Sequence, residues 1–149
     1  MTVIINEVTK DNINDILKLR INEEQQSFIE TPQQCLDEAK ECSNFQPVGL
    51  YWEKHLVGFA MYGFFPEEGI NGRVWLDRFL IDSKHQGLGL GSIMLSALIQ
   101  RLAQEYSCNE IYLSIIADNQ AAIHLYQKFG FKFTGEVDSN NEKILVKSL

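Results

Sequence analysis

The clearest chemical pattern in this chain of 149 residues is a glycine-rich segment between an apolar run and an amphipathic one. The segment reads Gln86-Gly87-Leu88-Gly89-Leu90-Gly91-Ser92. Glycines weaken a helix, but they let the main chain approach a ligand closely and turn its N–H groups toward one point. Because a helix that begins here adds the positive end of its dipole, the segment predicts a cradle for an anion. It lacks the last glycine of the dinucleotide motif G-x-G-x-x-G and the lysine of the P-loop.

Two charged residues interrupt the apolar run that precedes this loop. The run, 74–81, is rich in β-forming residues and predicts a buried strand, with Asp77 and Arg78 in its middle. Because neighbouring strand residues point to opposite faces, we expect that these two side chains do not pair with each other. A charge in a covered strand costs free energy unless it has a partner. A structural partner elsewhere is an open alternative for Arg78, whereas Asp77, just before a ligand loop, is interpreted as a functional carboxylate.

A second group of candidate residues follows the next predicted strand. Asn119, Ala122 and Tyr126 recur at spacings of three and four, so they share one face of a helix. Asn119 is placed to begin that helix and Gly130 to end it. The small Ala122 leaves room for a ligand beside it. The structural alternative for Tyr126 is an ordinary core aromatic residue.

Hydrophobic periodicity predicts the elements that must position these residues. Strands are predicted over 2–8, 47–52, 56–65, 74–81, 110–116, 131–137 and 142–149. Helices are predicted after Thr9, which is expected to cap the first one, from Thr31-Pro32 to about Cys42, across 92–102, and from Asn119 to Gly130. The length suits one hydrophobic core and no linker or repeat divides it, so residues 1–149 are predicted to form a single domain.

The composition is ordinary for a globular chain, with 45% hydrophobic and 22% charged residues and a net charge of −7. This acidic balance argues against nucleic acid or an anionic membrane as a partner and favours a cationic one. No apolar run has transmembrane length and no signal peptide precedes the first strand, so the predicted location is the cytoplasm. Cys35, Cys42 and Cys108 form no C-x-x-C pattern and are expected to be free thiols, and the scattered histidines predict no metal site.

Two motifs resemble those of one enzyme superfamily. The pattern Gln86-x-x-Gly89-x-Gly91 is similar to the Q/R-x-x-G-x-G/A acetyl-CoA loop of the GNAT acetyltransferases. The pattern N-x-x-A-x-x-L-Y-x-x-x-G-F, from Asn119 to Phe131, resembles a second segment of that superfamily. Segments 28–42 and 57–82 resemble bacterial Blt-type spermine/spermidine acetyltransferases, and the likeness covers essentially the whole chain. It implies the GNAT fold, an α/β (α+β) arrangement in which about four helices flank a mixed, mostly antiparallel sheet splayed at the acetyl-CoA site.

The resemblance implies an N-acetyltransferase that uses acetyl-CoA as a cosubstrate and needs no metal. The pantetheine arm would pair with the main chain of Phe79 and Ile81, and the pyrophosphate would rest on the amides of 87–92. The residues expected to contact acetyl-CoA are Phe79, Leu80, Ile81, Gln86, Gly87, Leu88, Gly89, Leu90, Gly91, Ser92, Asn119, Ala122 and Tyr126. In the resemblance Asp77 corresponds to the general base and Tyr126 to the general acid that protonates the leaving thiolate, and an N–H near Phe79 would hold the oxyanion.

The implied acceptor is a primary amine of spermine or spermidine. A base is needed because such an amine has a pKa near 10.4, so that about one in a thousand is neutral at pH 7. The carboxylates expected to hold the amine are Asp77, Glu23, Glu24, Glu30, Glu67 and Glu68. Arg78 departs from the acidic residue that the related animal enzymes have there. A protein N-terminus, a lysine and an aminoglycoside stay open as alternative acceptors, and a non-catalytic acyl-CoA sensor stays open as an alternative function. The oligomeric state also stays open, with a homodimer as one candidate because this family is often dimeric.

Overall fold

The computed structural model describes residues 2–20 and 30–149. Its strands are β1 (Val3–Glu7), β2 (Phe45–Trp52), β3 (His55–Phe65), β4 (Arg73–Ile81), β5 (Glu110–Ile115), β6 (Lys132–Val137) and β7 (Lys143–Ser148). Its helices are α1 (Ile13–Leu17), α2 (Pro32–Glu41), α3 (Leu90–Tyr106) and α4 (Gln120–Lys128), and a 3₁₀ turn, Ser83–His85, follows β4. The order of these elements confirms the order predicted from the sequence.

The strands form one sheet in the order β1-β2-β3-β4-β5-β7-β6. Neighbouring strands are antiparallel except β4 and β5, which are parallel and share a single pair in register, Trp75 with Tyr112. The two strands therefore separate beyond Trp75 and leave a gap in the middle of the sheet. The predicted sheet, mixed, mostly antiparallel and splayed at its centre, is confirmed.

A β-bulge interrupts β4 at Asp77. Arg78 pairs with Met61 of β3 and Leu76 pairs with the next residue, Tyr62, so Asp77 is the extra residue of the pair. Before the bulge, Val74 and Leu76 pack on the core that includes α3. After the bulge, Ile81 packs on the same core. The side chains that face this core thus change from even-numbered to odd-numbered positions, because one inserted residue reverses the alternation of the strand.

The sheet carries a hydrophobic core on each face. One core joins the central strands to α3 and α4 through side chains such as Tyr62, Met94 and Leu98. The other core joins the opposite face of β3 and β4 to α1 and α2, through Phe59 and Ile16 among others. Since both faces are covered at β3 and β4, a polar side chain in these strands needs a partner or a cavity.

The local signals for helix starts are mostly confirmed. Thr31 caps α2 in a capping box with Gln34, and Pro32 is in the first turn, as predicted. The prediction that Thr9 caps the first helix is wrong, because Asn12 is the N-cap residue and its Oδ1 accepts from the N–H of Thr9 at 2.8 Å. The part of the chain that the structure describes contains no helix long and apolar enough to cross a membrane.

Candidate active site

The gap between β4 and β5 exposes main-chain groups at the end of β4. Asp82 donates its N–H to the Val57 carbonyl at 2.7 Å, so the even-numbered residues at this end of β4 direct their main-chain groups toward β3. Because adjacent residues in a strand alternate, Phe79 and Ile81 direct theirs toward the gap. In agreement, the Ile81 carbonyl accepts from Gln86 Nε2 at 3.0 Å. The gap therefore presents strand-like hydrogen-bonding groups to an extended ligand.

A cavity of about 290 Å³ fills this gap. It is bounded by the end of β4, the glycine loop, β5 and one face of α4. The lining residues are Glu30, Asp77, Arg78, Phe79, Leu80, Ile81, His85, Gln86, Gly87, Gly89, Leu90, Gly91, Ser114, Ile115, Asn119, Ala121, Ala122, Leu125, Tyr126 and Glu142. Of the residues predicted to contact acetyl-CoA, Leu88 and Ser92 are not in this lining, and Leu88 is 66% exposed.

The glycine loop has the backbone that its sequence predicts. Gly87 and Gly89 have φ angles of +81° and +78°, which side chains other than glycine rarely adopt. A Cβ placed at either residue would have nothing within 4 Å, so the space above the loop is open. Gly89 is also the N-cap of α3, a helix of 17 residues. The free N–H groups at that helix end face an open site that suits an anionic group.

Helix α4 brings the second predicted group to the same cavity. Asn119 is buried and its Oδ1 accepts from the Ala122 N–H at 3.4 Å, so it caps the helix as predicted. Tyr126 is buried two turns later, and its ring packs edge-on against Phe131 at a centroid distance of 5.7 Å. Tyrosine is protonated at neutral pH at its ordinary pKa of about 10, and burial raises the pKa of Tyr126 above that value.

Asp77 and Arg78 are paired, which contradicts the sequence prediction. Arg78 Nη1 donates to Asp77 Oδ2 at 2.8 Å. The bulge breaks the alternation on which the prediction rested, so the two neighbouring side chains reach the same side. Arg78 also lies 2.9 Å from Glu30 through Nε and 3.1 Å from Glu38 through Nη2. The structural partners considered for Arg78 are therefore these three carboxylates.

The environment of Asp77 favours its protonated form. Burial raises the pKa of Asp77 from 3.8 to about 6, and the carboxylates of Glu38, Glu30 and Asp138 add to the rise. Arg78 opposes the rise, because a nearby positive charge stabilises the carboxylate. A carboxyl with a pKa close to neutral can both accept and release a proton under physiological conditions.

A second cavity of about 460 Å³ adjoins the first. The two share Asp77, Arg78, Ser114 and Glu142 in their linings. The second is lined by Glu38, Glu41, Cys42, Phe45, Asp77, Arg78, Ser114, Asp138, Asn140 and Glu142. We call the two cavities together the acidic groove. Burial raises the pKa of Glu142, and repulsion from Asp138 and Glu30 raises it further, while Arg78 lowers it.

The carboxylates of this groove differ from those predicted. Among the predicted set, Asp77 and Glu30 line it, whereas Glu67 and Glu68 line neither cavity, and Glu68 accepts from Trp75 Nε1 at 2.8 Å. Glu23 and Glu24 lie outside the described residues. The structure adds carboxylates that sequence reasoning missed, namely Glu38, Glu41, Asp138 and Glu142. Their positions in the sequence could not indicate that they lie together, because α2 and the β6–β7 turn are far apart in the chain and come into proximity only in the folded protein.

The comparisons with known proteins agree with this geometry. The model of the Acetyltransferase (GNAT) family matches residues 13–131. The chain is 57% identical over 152 aligned residues to the spermine/spermidine N(1)-acetyltransferase of Bacillus subtilis (strain 168), with 100% of both chains covered. A solved aminoglycoside acetyltransferase in complex with coenzyme A has a TM-score of 0.81 at 18% identity, covering 99% of this chain and 95% of the other. A spermidine N-acetyltransferase from Vibrio cholerae in complex with CoA and spermine has a TM-score of 0.71 at 16% identity, covering 97% and 92%.

The chain therefore belongs to the Acetyltransferase (GNAT) family. It is an N-acetyltransferase, and its cosubstrate is acetyl-CoA, as the resemblance to the superfamily implied. The similarity to spermine/spermidine acetyltransferases that the sequence suggested is confirmed. The site fits the cosubstrate, since the open space above Gly87 and Gly89 leaves room for a pyrophosphate. Within the described residues no group of three or more His, Cys, Asp or Glu could hold a metal ion.

Proposed function

We propose that this acetyltransferase moves the acetyl group of acetyl-CoA to a primary amine of spermine or spermidine. The acidic groove is the observation that carries the proposal. It begins at the glycine loop and continues past Asp77 into a cavity lined by carboxylates from α2 and from the β6–β7 turn. A flexible chain that carries several ammonium groups matches such a row of negative charges. The name of the full-length relative supports the same acceptor.

Acetyl-CoA is assigned to the part of the groove between the glycine loop and α4. Its pyrophosphate would accept from the N–H groups of the loop and the first turn of α3. Its pantetheine arm would continue along β4 and pair with the main chain of Phe79, as a further strand would. Asn119 and Ala122 would line the other side of the arm, where the small alanine leaves space. The thioester would then lie between Asp77 and Tyr126, which line the same cavity from opposite elements.

Asp77 is proposed as the general base. The acceptor amine binds as an ammonium ion and must lose a proton before its nitrogen lone pair can attack the thioester carbon. The pKa of about 6 means that Asp77 is ionised in the free enzyme at neutral pH and can receive that proton. Attack turns the carbonyl oxygen into an oxyanion and leaves a positive charge on the nitrogen. The N–H of Phe79 faces the gap and is proposed to hold the oxyanion. The nitrogen releases a second proton as the intermediate collapses, which balances the proton that Tyr126 gives to the sulfur.

Tyr126 is proposed as the general acid. When the tetrahedral intermediate collapses, the carbon–sulfur bond breaks and the sulfur leaves as a thiolate. A neighbouring hydroxyl can protonate it and prevent the reverse reaction. Tyr126 holds its proton until then, because the ordinary pKa of tyrosine is about 10 and burial raises that of Tyr126 further. A purely structural Tyr126 would be buried as well, and a Tyr126→Phe variant distinguishes the two roles.

One comparison of acceptors tests the proposed function. Acetyl-CoA turnover is measured with spermine, spermidine, putrescine, a lysine peptide, a peptide N-terminus and an aminoglycoside. We expect the highest kcat/KM for spermine or spermidine, because they place several charges along the groove. A higher value for the peptides or the aminoglycoside would contradict the proposed acceptor. No turnover with any amine, together with tight acyl-CoA binding, would favour the sensor.

Two further expectations remain predictions about the protein in the cell. The cytoplasm is its predicted location, in keeping with Cys35, Cys42 and Cys108, which are free thiols in the structure. A homodimer is one candidate for its assembly, which light scattering can test.

A further inference from the structure

Arg78 occupies the junction between the two cavities of the acidic groove. Among the residues that the structure describes, it is the one lysine or arginine in either lining. Its side chain is 17% exposed, so its guanidinium is largely withdrawn from water. A cation in that position must interact strongly with the carboxylates around it, because solvent screens it little.

Three carboxylates from three parts of the chain surround this guanidinium. Asp77 comes from β4, Glu30 precedes α2, and Glu38 belongs to α2. Their oxygens lie 2.8, 2.9 and 3.1 Å from Nη1, Nε and Nη2 of Arg78. These distances are those of charge-assisted contacts. The contacts of Nη1 and Nη2 are hydrogen bonds, whereas Nε is buried beside Glu30 without a hydrogen bond. The cluster is a cation site whose occupant belongs to the protein itself.

The ammonium group of an acceptor amine needs the same kind of surroundings. It carries three N–H donors and a single positive charge, and it must reach Asp77 if that carboxylate is to take its proton. Asp77 already accepts from Arg78, and Glu30 lines the cavity into which the thioester would project. The amine and Arg78 therefore draw on the same carboxylates.

We propose that Arg78 is a built-in competitor for the acceptor amine. It holds Asp77, Glu30 and Glu38 when no amine is bound, and the entering ammonium group takes one or more of these carboxylates from it. In the free enzyme the positive charge of Arg78 offsets the mutual repulsion of the three carboxylates. When an amine binds, competition with Arg78 lowers the affinity of the site for that amine. This inference rests on the proposed function for the identity of the amine, but it applies to any ammonium group that reaches Asp77.

The test compares Arg78→Gln with Arg73→Gln as a matched control. Arg73 lies in the same strand and pairs with Glu136 at 3.5 Å, outside both cavities. Spermine binding to the CoA complex is measured by calorimetry at about pH 8, where Asp77 is ionised. We expect Arg78→Gln to lower the Kd for spermine about fivefold, the value of one freed ion pair, and Arg73→Gln to leave it unchanged. In turnover, the KM for the amine should fall and the KM for acetyl-CoA should not change.

Two results would overturn the inference. One is an unchanged or higher Kd for spermine in a folded Arg78→Gln variant. The other is a lower kcat with an unchanged amine KM, which a residue that merely positions Asp77 would give. If Arg78→Gln does not fold, Arg78→Lys replaces it, because a lysine keeps the charge but lacks the fork that reaches all three carboxylates. That variant should lower the Kd about twofold, and no change in Kd would contradict the inference.

The experiment also separates this inference from the proposed function. If the wild-type protein acetylates another amine of the panel and no polyamine, the proposed acceptor is wrong. The same comparison is then made with the amine that is acetylated. A tighter complex in Arg78→Gln would still support competition by Arg78, and an unchanged one would still refute it.

Discussion

Replacement of Asp77 by Asn should stabilise the protein while it removes the proposed base. Burial raises the pKa of Asp77 from 3.8 to about 6, and its side chain is 19% exposed. Since one pKa unit corresponds to 1.36 kcal/mol, this rise amounts to about 3 kcal/mol. The attraction of Arg78 is already included, because Arg78 lowers that pKa.

The sign of this change in stability depends on whether the folded or the unfolded state binds the proton of Asp77 more tightly. A carboxyl with a raised pKa keeps its proton in the folded state at a pH where the unfolded chain has lost it. The free energy of unfolding therefore falls as pH rises from about 4 to about 6, and above that range the folded protein bears the full cost of the buried charge. Asp77→Asn removes this cost, so the variant should exceed the wild-type protein by about 1–3 kcal/mol at about pH 8 and by little at about pH 4.

Urea unfolding at both pH values measures this difference. Asp37→Asn is the matched control, since Asp37 is exposed on α2 and the same substitution there should change little. A variant at Asp77 that is less stable than the wild type at about pH 8 would refute the reasoning. It would show that the carboxylate anchors the strand through Arg78.

The activity of the same variant tests the base. The kcat/KM of the wild-type protein should rise with an apparent pKa of about 6, because this parameter reports the free enzyme. Asp77→Asn should lose that ionisation and most of its activity at neutral pH, and it should regain part of it as the amine itself loses its proton. Wild-type activity in the variant at neutral pH would exclude Asp77 as the base.

Three further variants test the remaining parts of the site. Tyr126→Phe should lower kcat by about 10²–10⁴ with little change in acetyl-CoA affinity, while Tyr112→Phe on β5, outside both cavities, should not; near-normal kcat would make Tyr126 a core residue. Gly89→Val should weaken acetyl-CoA binding, measured by calorimetry, about tenfold or more, which corresponds to about 1.4 kcal/mol. The control is Gly135→Val in β6, where φ is +91°; it should strain the backbone without weakening acetyl-CoA binding. Glu142→Gln should raise the KM for spermine more than the KM for a monoamine, and added salt should do the same. Glu67→Gln is the control and should not change the KM for spermine. Equal effects on both amines would contradict binding of spermine along the acidic groove.

The parts of the site that depend on local sequence were predictable. The glycine loop, its helix and the face of α4 each rest on spacings within a few turns, and the structure places Gly89, Asn119 and Tyr126 around one cavity. The pairing of Asp77 with Arg78 was not predictable from alternation, because a bulge depends on how β4 pairs with β3.

The carboxylates of the groove were hidden for a different reason. Glu38 and Glu142 are more than a hundred residues apart in the chain and are brought together by packing. The carboxylates expected from the sequence included Glu67 and Glu68 instead, and Glu68 accepts from Trp75. Net charge thus favoured a cationic partner without indicating which acidic residues would face it.

The bulge in β4 places residues of the acceptor site between residues of the core, so that the two sets can change independently. Leu76 and Leu80 are buried on either side of it, whereas Asp77, Arg78 and Phe79 between them are half-buried. A substitution at Arg78 can alter the charge presented to an acceptor without opening a hole in either core, because Arg78 belongs to neither of them. A descendant of this fold can therefore explore new amines at β4 while it retains the stability on which its folding depends.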